Sequence, residues 1–214
     1  MTDIKVGISI GDVNGIGIEV LLKTLTDKRI TEFCTPVIFG SNKVISVHRK
    51  QLEIKDLNFN IINSIEKIKK NKINLYNFIE EDVEVNFGKE CQLSGTYALK
   101  SISEACNAIK NKKIDVLVTA PINKKSIQKK VKSFIGHTEF LEKKFEGKSL
   151  MIMLSEFMKV AFVTGHIPLS KVAANITTNM IIEKTKQFNN SLINDFMIQK
   201  PKIAILAINP HAGE

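Results

Sequence analysis

Short apolar, β-branched runs alternate with longer segments of helical period along this chain, and that alternation points to a parallel sheet flanked by helices. The strand candidates are residues 4–10, 35–39, 57–62, 73–78, 114–119, 149–154, 159–164 and 202–208. Several are apolar almost throughout, as in strands covered on both faces. Helices are predicted over 16–27, 95–110, 138–145 and 177–196, and in the last Ile181, Thr185, Phe188, Leu192 and Phe196 share one face. The fold class is therefore α/β, with parallel or mixed sheets. No repeat, low-complexity tract or flexible linker interrupts the pattern. The loop after the strand ending at Thr119 offers a boundary near residue 122, with a first α/β domain over 1–122 and a second over 123–214.

The formal charge of +9 raises the question of a nucleic-acid surface. Only Arg29 and Arg49 are arginines, and the lysines are scattered apart from short clusters such as Lys67, Lys69, Lys70 and Lys72. Bidentate reading of phosphates and guanine edges is mostly arginine work, so the basic excess reads as solvated surface and no nucleic-acid partner is expected. Cys34, Cys91 and Cys106 are too far apart for a C-x-x-C pair and odd in number, which predicts a reducing compartment without a cysteine metal site. No apolar run approaches membrane-spanning length and the first residues do not form a signal peptide, so a cytoplasmic protein with no membrane partner is expected.

Ligands of open α/β sheets bind beyond the carboxyl ends of the strands, and the unusual residues of this chain fall in such loops. After the first strand, Gly11-Asp12-Val13-Asn14-Gly15-Ile16-Gly17 feeds a helix. It is neither G-x-G-x-x-G nor a Walker loop; it is a tight turn, or a turn whose amides face an anion. After the strand ending in Val118, Thr119-Ala120-Pro121-Ile122-Asn123-Lys124 joins a stiffened turn to donors suited to a carboxylate or a cofactor phosphate. Gly136-His137-Thr138-Glu139 opens a further helix, where Thr138 either caps the helix or, with His137, grips an oxyanion. Two more histidines, His166 and His211, each follow an apolar run and stand two residues or one from a proline. Their equivalent positions admit a shared divalent cation, although two imidazoles do not complete a coordination sphere.

Taken together, the segments GDVNGIGIEV, TAPINK, GHTEF, TGHIPL and NPHAGE, in this order, resemble the family of 4-hydroxythreonine-4-phosphate dehydrogenases from the pathway to pyridoxal phosphate (vitamin B6). The first loop departs from the family pattern, with Val13-Asn14-Gly15 where a Pro-Ala-Gly is commoner. The resemblance implies a two-domain architecture like that of isocitrate and isopropylmalate dehydrogenases, and a homodimer whose active site lies at the subunit interface. It also implies a small phosphorylated hydroxy amino acid as substrate, oxidised with decarboxylation to 3-amino-2-oxopropyl phosphate. NAD or NADP and a divalent metal (zinc, magnesium, manganese or cobalt) would be the cofactors. His166 and His211 would ligate the metal, and His137 and Thr138 would contact the substrate, His137 also moving a proton. Gly11, Asp12, Asn123 and Lys124 would border the nicotinamide cofactor. The third metal ligand and the phosphate-binding groups of the family fall beyond Glu214, so the C-terminal part is expected to be absent from this chain. Three other readings stay open. They are a dehydrogenase of phosphorylated threonate or erythronate, an acyl or phosphoryl transferase on the same superfold, and an inactive fragment.

Overall fold

The structure is a computed structural model that describes residues 4–79 and 81–211. It divides into two compact units, Met1–Glu146 and Gly147–Glu214. The boundary read from the sequence near residue 122 falls inside the first unit.

In the first unit the elements run β1 (Lys5–Ser9), α1 (Gly17–Leu25), α2 (Ile30–Phe33), β2 (Thr35–Gly40), α3 (Asn42–Gln51), β3 (Asn60–Ile62), β4 (Asn74–Asn77), α4 (Gln92–Lys110), β5 (Val116–Thr119), α5 (Lys124–Gln128) and α6 (His137–Lys144). The five strands form one sheet in the order β3-β4-β2-β1-β5, and every pairing is parallel. The chain moves outward from β1 through β2 and returns on the other side of β1 as β5. In sheets with such a reversal of strand order, ligands bind at the carboxyl ends of the strands beside it, here β1 and β5.

Strand β2 is buried at all six positions. Ile38 faces a core built with Ile18 and Leu22 of α1 and Val44 and Ile45 of α3. Its neighbours Val37 and Phe39 point the opposite way, against Ala105 and Ala108 of α4. The alternation of a strand thus divides a continuous apolar run between two helical layers, and each fully buried large side chain contributes roughly 1.5–3 kcal/mol. Helix α4 carries small residues on the face it packs: a Cβ at Gly95 would meet the Ser126 carbonyl carbon at 2.3 Å, which is how α5 comes to lie against it.

The second unit holds β6 (Ile152–Leu154), β7 (Lys159–Ala161), α7 (Val172–Asn175) and α8 (Thr178–Asn194). β6 and β7 pair antiparallel, with Met153 opposite Val160. The Thr177 hydroxyl caps α8 by accepting from the Met180 N–H at 3.2 Å. Phe188 and Leu192 are buried on the face expected from the sequence. Lys184 and Gln187 donate to the carbonyls of Ser149 and Lys148 at 2.6 and 2.7 Å.

The run at 159–164 is a strand only as far as Ala161, and 202–208 forms no strand at all. Ile205, Leu206 and Ile208 are exposed, and no ladder runs beside them among the described residues. A β-branched, apolar run has strand propensity, but a strand exists only where a neighbour accepts its backbone hydrogen bonds. No helix among the described residues is long and apolar enough to cross a membrane.

Candidate active site

Three of the loops singled out in the sequence approach one another at the carboxyl edge of the first unit's sheet. Gly11 has φ +68°, and a Cβ there would sit 2.2 Å from the Pro121 carbonyl oxygen. Glycine is required at this point both by the left-handed backbone and by the close approach of the second loop. The Asp12 N–H donates to that same Pro121 oxygen at 2.9 Å, which ties the GDVNG turn to the TAPINK turn. One end of the junction is pegged from below by Ser101 of α4. Its buried hydroxyl accepts from the Ile10 N–H at 3.0 Å and donates to the Phe39 carbonyl at 2.6 Å.

The Asp12 side chain is buried, and its Oδ1 accepts from the Asn14 N–H at 3.0 Å while the Asp12 carbonyl accepts from the Gly15 N–H. This is a side-chain-stabilised turn that mimics a backbone turn. Asn14 is the larger surprise. It is buried, its Nδ2 donates to the Lys89 carbonyl at 2.9 Å, and its Oδ1 accepts from the Asn86 N–H at 2.9 Å. Asn14 stands where the family pattern more often has an alanine, and here it pins the 86–91 segment beneath the first loop. His48, also buried, approaches the Val13 carbonyl through Nε2 at 2.8 Å, and burial holds its pKa below the usual imidazole value. Neither role was legible: the Asn14 partners lie more than 70 positions along the chain, and a lone His in a helix carries no spacing signal.

Asn123 caps α5, its Oδ1 accepting from the Ser126 N–H at 3.0 Å, which leaves its Nδ2 for other partners. The next residue, Lys124, is exposed and reaches toward the start of α6. Its Nζ and Cε lie 3.5 Å from where a Gly136 Cβ would be, and Glu139 Oε2 lies 3.2 Å from the same point. The N-cap of α6 is Gly136, which makes no side-chain cap, so Thr138 sits inside the first turn rather than capping it. His137 is half-buried and its Nε2 is shielded without a hydrogen-bond partner. Burial first, and then the Lys124 charge, lower the His137 pKa, so the ring is neutral at physiological pH. A neutral imidazole beside an ammonium and at uncapped helical amides suits an anionic substrate group and an exchangeable proton.

His166 and His211 belong to the second unit and both are exposed. The strand ends expected to carry them are not there: His166 lies in a bend five residues after β7, and His211 follows a stretch without regular structure. The His211 N–H donates to Asn209 Oδ1 at 2.9 Å. Imidazoles have the right donor chemistry for a borderline divalent ion. Among the described residues no three His, Cys, Asp or Glu side chains are grouped to hold one. Cys91, not singled out in the sequence, caps α4 by accepting from the Ser94 N–H at 3.3 Å and receives the Asn14 amide at 3.6 Å.

Comparison with known proteins identifies the family and the fold. A 4-hydroxythreonine-4-phosphate dehydrogenase of Bacteroides thetaiotaomicron is 43% identical over 213 residues, covering 99% of this chain and 58% of that protein. One from a Sulfurihydrogenibium species is 37% identical over 212 residues, covering 99% and 65%. The crystal structure of a 4-hydroxythreonine-4-phosphate dehydrogenase from Burkholderia phymatum superposes with a TM-score of 0.86 at 24% identity over the whole chain and 65% of its own, which speaks to the fold. The chain thus spans a little under two thirds of the length of these relatives. The family profile described as pyridoxal phosphate biosynthetic protein PdxA matches residues 32–214. With that match and the 43% identity, this chain belongs to the PdxA family.

Proposed function

We propose that the protein carrying this sequence oxidises 4-hydroxythreonine 4-phosphate with a nicotinamide cofactor and releases carbon dioxide, yielding 3-amino-2-oxopropyl phosphate for pyridoxal phosphate synthesis. The observation that carries this reading is the 43% identity over 213 residues to a relative of that name. The approach of the Gly11 turn to Pro121, and of Lys124 to Gly136, supports it, because it gathers these loops at the carboxyl edge of a parallel sheet, where such folds bind ligands. In this reading His137 and Thr138 meet the substrate. The shielded Nε2 of His137, on a ring kept neutral, is the atom available to accept a hydrogen bond or a proton. Gly11, Asp12, Asn123 and Lys124 border the cofactor, which is NAD or NADP. His166 and His211 would be this chain's ligands to a divalent metal, which would supply Lewis-acid chemistry. A cytoplasmic homodimer with a shared active site completes the proposal.

The test is turnover by the protein expressed from its complete coding region. Reduced nicotinamide is followed with 4-hydroxythreonine 4-phosphate, and in parallel with phosphorylated threonate and erythronate, under zinc, magnesium, manganese or cobalt. Preferential oxidation of the amino acid with release of carbon dioxide is expected. Oxidation of the threonate or erythronate alone, or of nothing under any metal, overturns the assignment.

A further inference from the structure

One peptide unit of the first loop is held at both of its polar ends. The Val13 carbonyl accepts from His48 Nε2 at 2.8 Å, and the N–H of the same unit, that of Asn14, donates to Asp12 Oδ1 at 3.0 Å. A carbonyl only accepts, so the His48 proton sits on Nε2. Val13, His48 and Asp12 are all buried. His48 stands on α3, and Phe87 meets its ring edge to face with centroids 4.9 Å apart, which fixes the imidazole from the far side of the loop. A trans peptide is planar and its N–H and C=O point in opposite directions, so tying the carbonyl to α3 aims the N–H at Asp12. Oδ1 is thereby taken, and among the described residues no group donates to Oδ2.

We propose that His48 is a positioning residue for Asp12: it anchors the Val13–Asn14 peptide to α3, and that peptide holds the Asp12 carboxylate by one oxygen, leaving the other for a hydroxyl or carboxamide donor of the nicotinamide cofactor. The proposal rests on the reading that Asp12 borders the cofactor, but the coupling of His48 to Asp12 is separate from it. The backbone on either side of this peptide has its own anchors. The Asp12 N–H donates to the Pro121 carbonyl, and the Asn14 side chain bonds Lys89 and Asn86. Loss of the imidazole therefore frees one peptide without releasing the loop.

The experiment compares wild type with His48→Leu, His48→Asn and His48→Gln by amide hydrogen exchange read from NMR spectra. Leucine fills the space without a donor, asparagine is polar but ends short of the Val13 carbonyl, and glutamine brings an amide donor to about the place of Nε2. Loss of one neutral hydrogen bond speeds exchange of the Asn14 amide roughly three- to tenfold in the Leu and Asn variants. The Gln variant returns it to near the wild-type rate, and Val37 and Ile38 of the buried strand β2 exchange alike in all four. An Asn14 amide unmoved in the Leu and Asn variants overturns the proposal, and so does a Gln variant no better than Leu. Acceleration of Val37 and Ile38 in step with Asn14 overturns it too, since that means general loosening. Titration of NADH and NADPH into the same four proteins expressed from the complete coding region, followed by nicotinamide fluorescence, then separates the two readings. Affinity that falls by a similar factor in the Leu and Asn variants and recovers with Gln is expected. Binding equal in all four, or absent from all four, refutes the placement of the cofactor at this loop and leaves the His48–Asp12 coupling standing.

Discussion

Replacing Ser101 by alanine tests whether the first loop is held by a peg in the core. Removing the hydroxyl leaves the Ile10 N–H, in a residue with no exposed surface, without its acceptor, and takes one donor from the Phe39 carbonyl. A buried N–H left unsatisfied costs about 1–3 kcal/mol and a lost neutral hydrogen bond about 0.5–1.5 kcal/mol, so the variant loses roughly 2–4 kcal/mol. Against a domain stability of about 5–15 kcal/mol this is a large fraction. The assay is equilibrium urea unfolding followed by tyrosine fluorescence. The chain has no tryptophan and its two tyrosines, Tyr76 and Tyr97, both lie in the first unit, so the signal reports that unit alone. With a slope of about 2 kcal/mol per molar urea, the midpoint falls by roughly 1–2 M. A midpoint within about 0.2 M of wild type at unchanged slope would refute the reasoning, since the hydroxyl would then not be satisfying a buried backbone group.

Gly95→Ala puts a methyl 2.3 Å from the Ser126 carbonyl carbon, forcing α5 off α4. It should cost about 1–3 kcal/mol by the same fluorescence measurement and disturb the amide signals of Asn123 and Lys124 before those of β3. Asn14→Ala removes the side-chain bonds to Lys89, Asn86 and Cys91 and leaves the Gly88 N–H on the residue-14 carbonyl, for roughly 2–3 kcal/mol, and should speed proteolysis within the 86–91 segment. The buried His48 and half-buried His137 both have pKa values below the ordinary 6.5. The unfolded chain therefore binds protons more readily, and stability falls as pH drops below about 6.5 until the folded-state values are passed. His48→Gln should flatten that dependence, and an equally steep curve in the variant would contradict it.

The sheet and its helices were legible because the two periods, alternate residues in strands and 3.6 in helices, are written by the same burial that stabilises the fold. Helix α3 was not anticipated: its Asn42–Gln51 stretch is mostly polar, with only Val44, Ile45 and His48 buried, too few to mark a period. The 202–208 run read as a strand because apolar composition records propensity alone, whereas pairing depends on a neighbour that composition does not name. Among the site residues, Gly11 was visible as a turn glycine, yet the reason for it, the Pro121 carbonyl, lies 110 positions away. Lys124 and Glu139 were likewise ordinary surface charges until the fold set both beside Gly136. Spacing along a chain reports local geometry, and the site is made by contacts between loops that local geometry does not fix.

We propose that the turn at Gly136, with His137 and Thr138, meets the phosphorylated substrate, beside the Gly11 and Pro121 turns that border the cofactor. The most direct measurement is the backbone amide spectrum of the chain during titration with 4-hydroxythreonine 4-phosphate. The account predicts saturable shifts at Gly136, His137 and Thr138, with smaller ones at Gly11 and Asp12, and none along β3. Shifts confined to lysines far from α6, or an unmoved His137–Thr138 turn at saturating ligand, would contradict it.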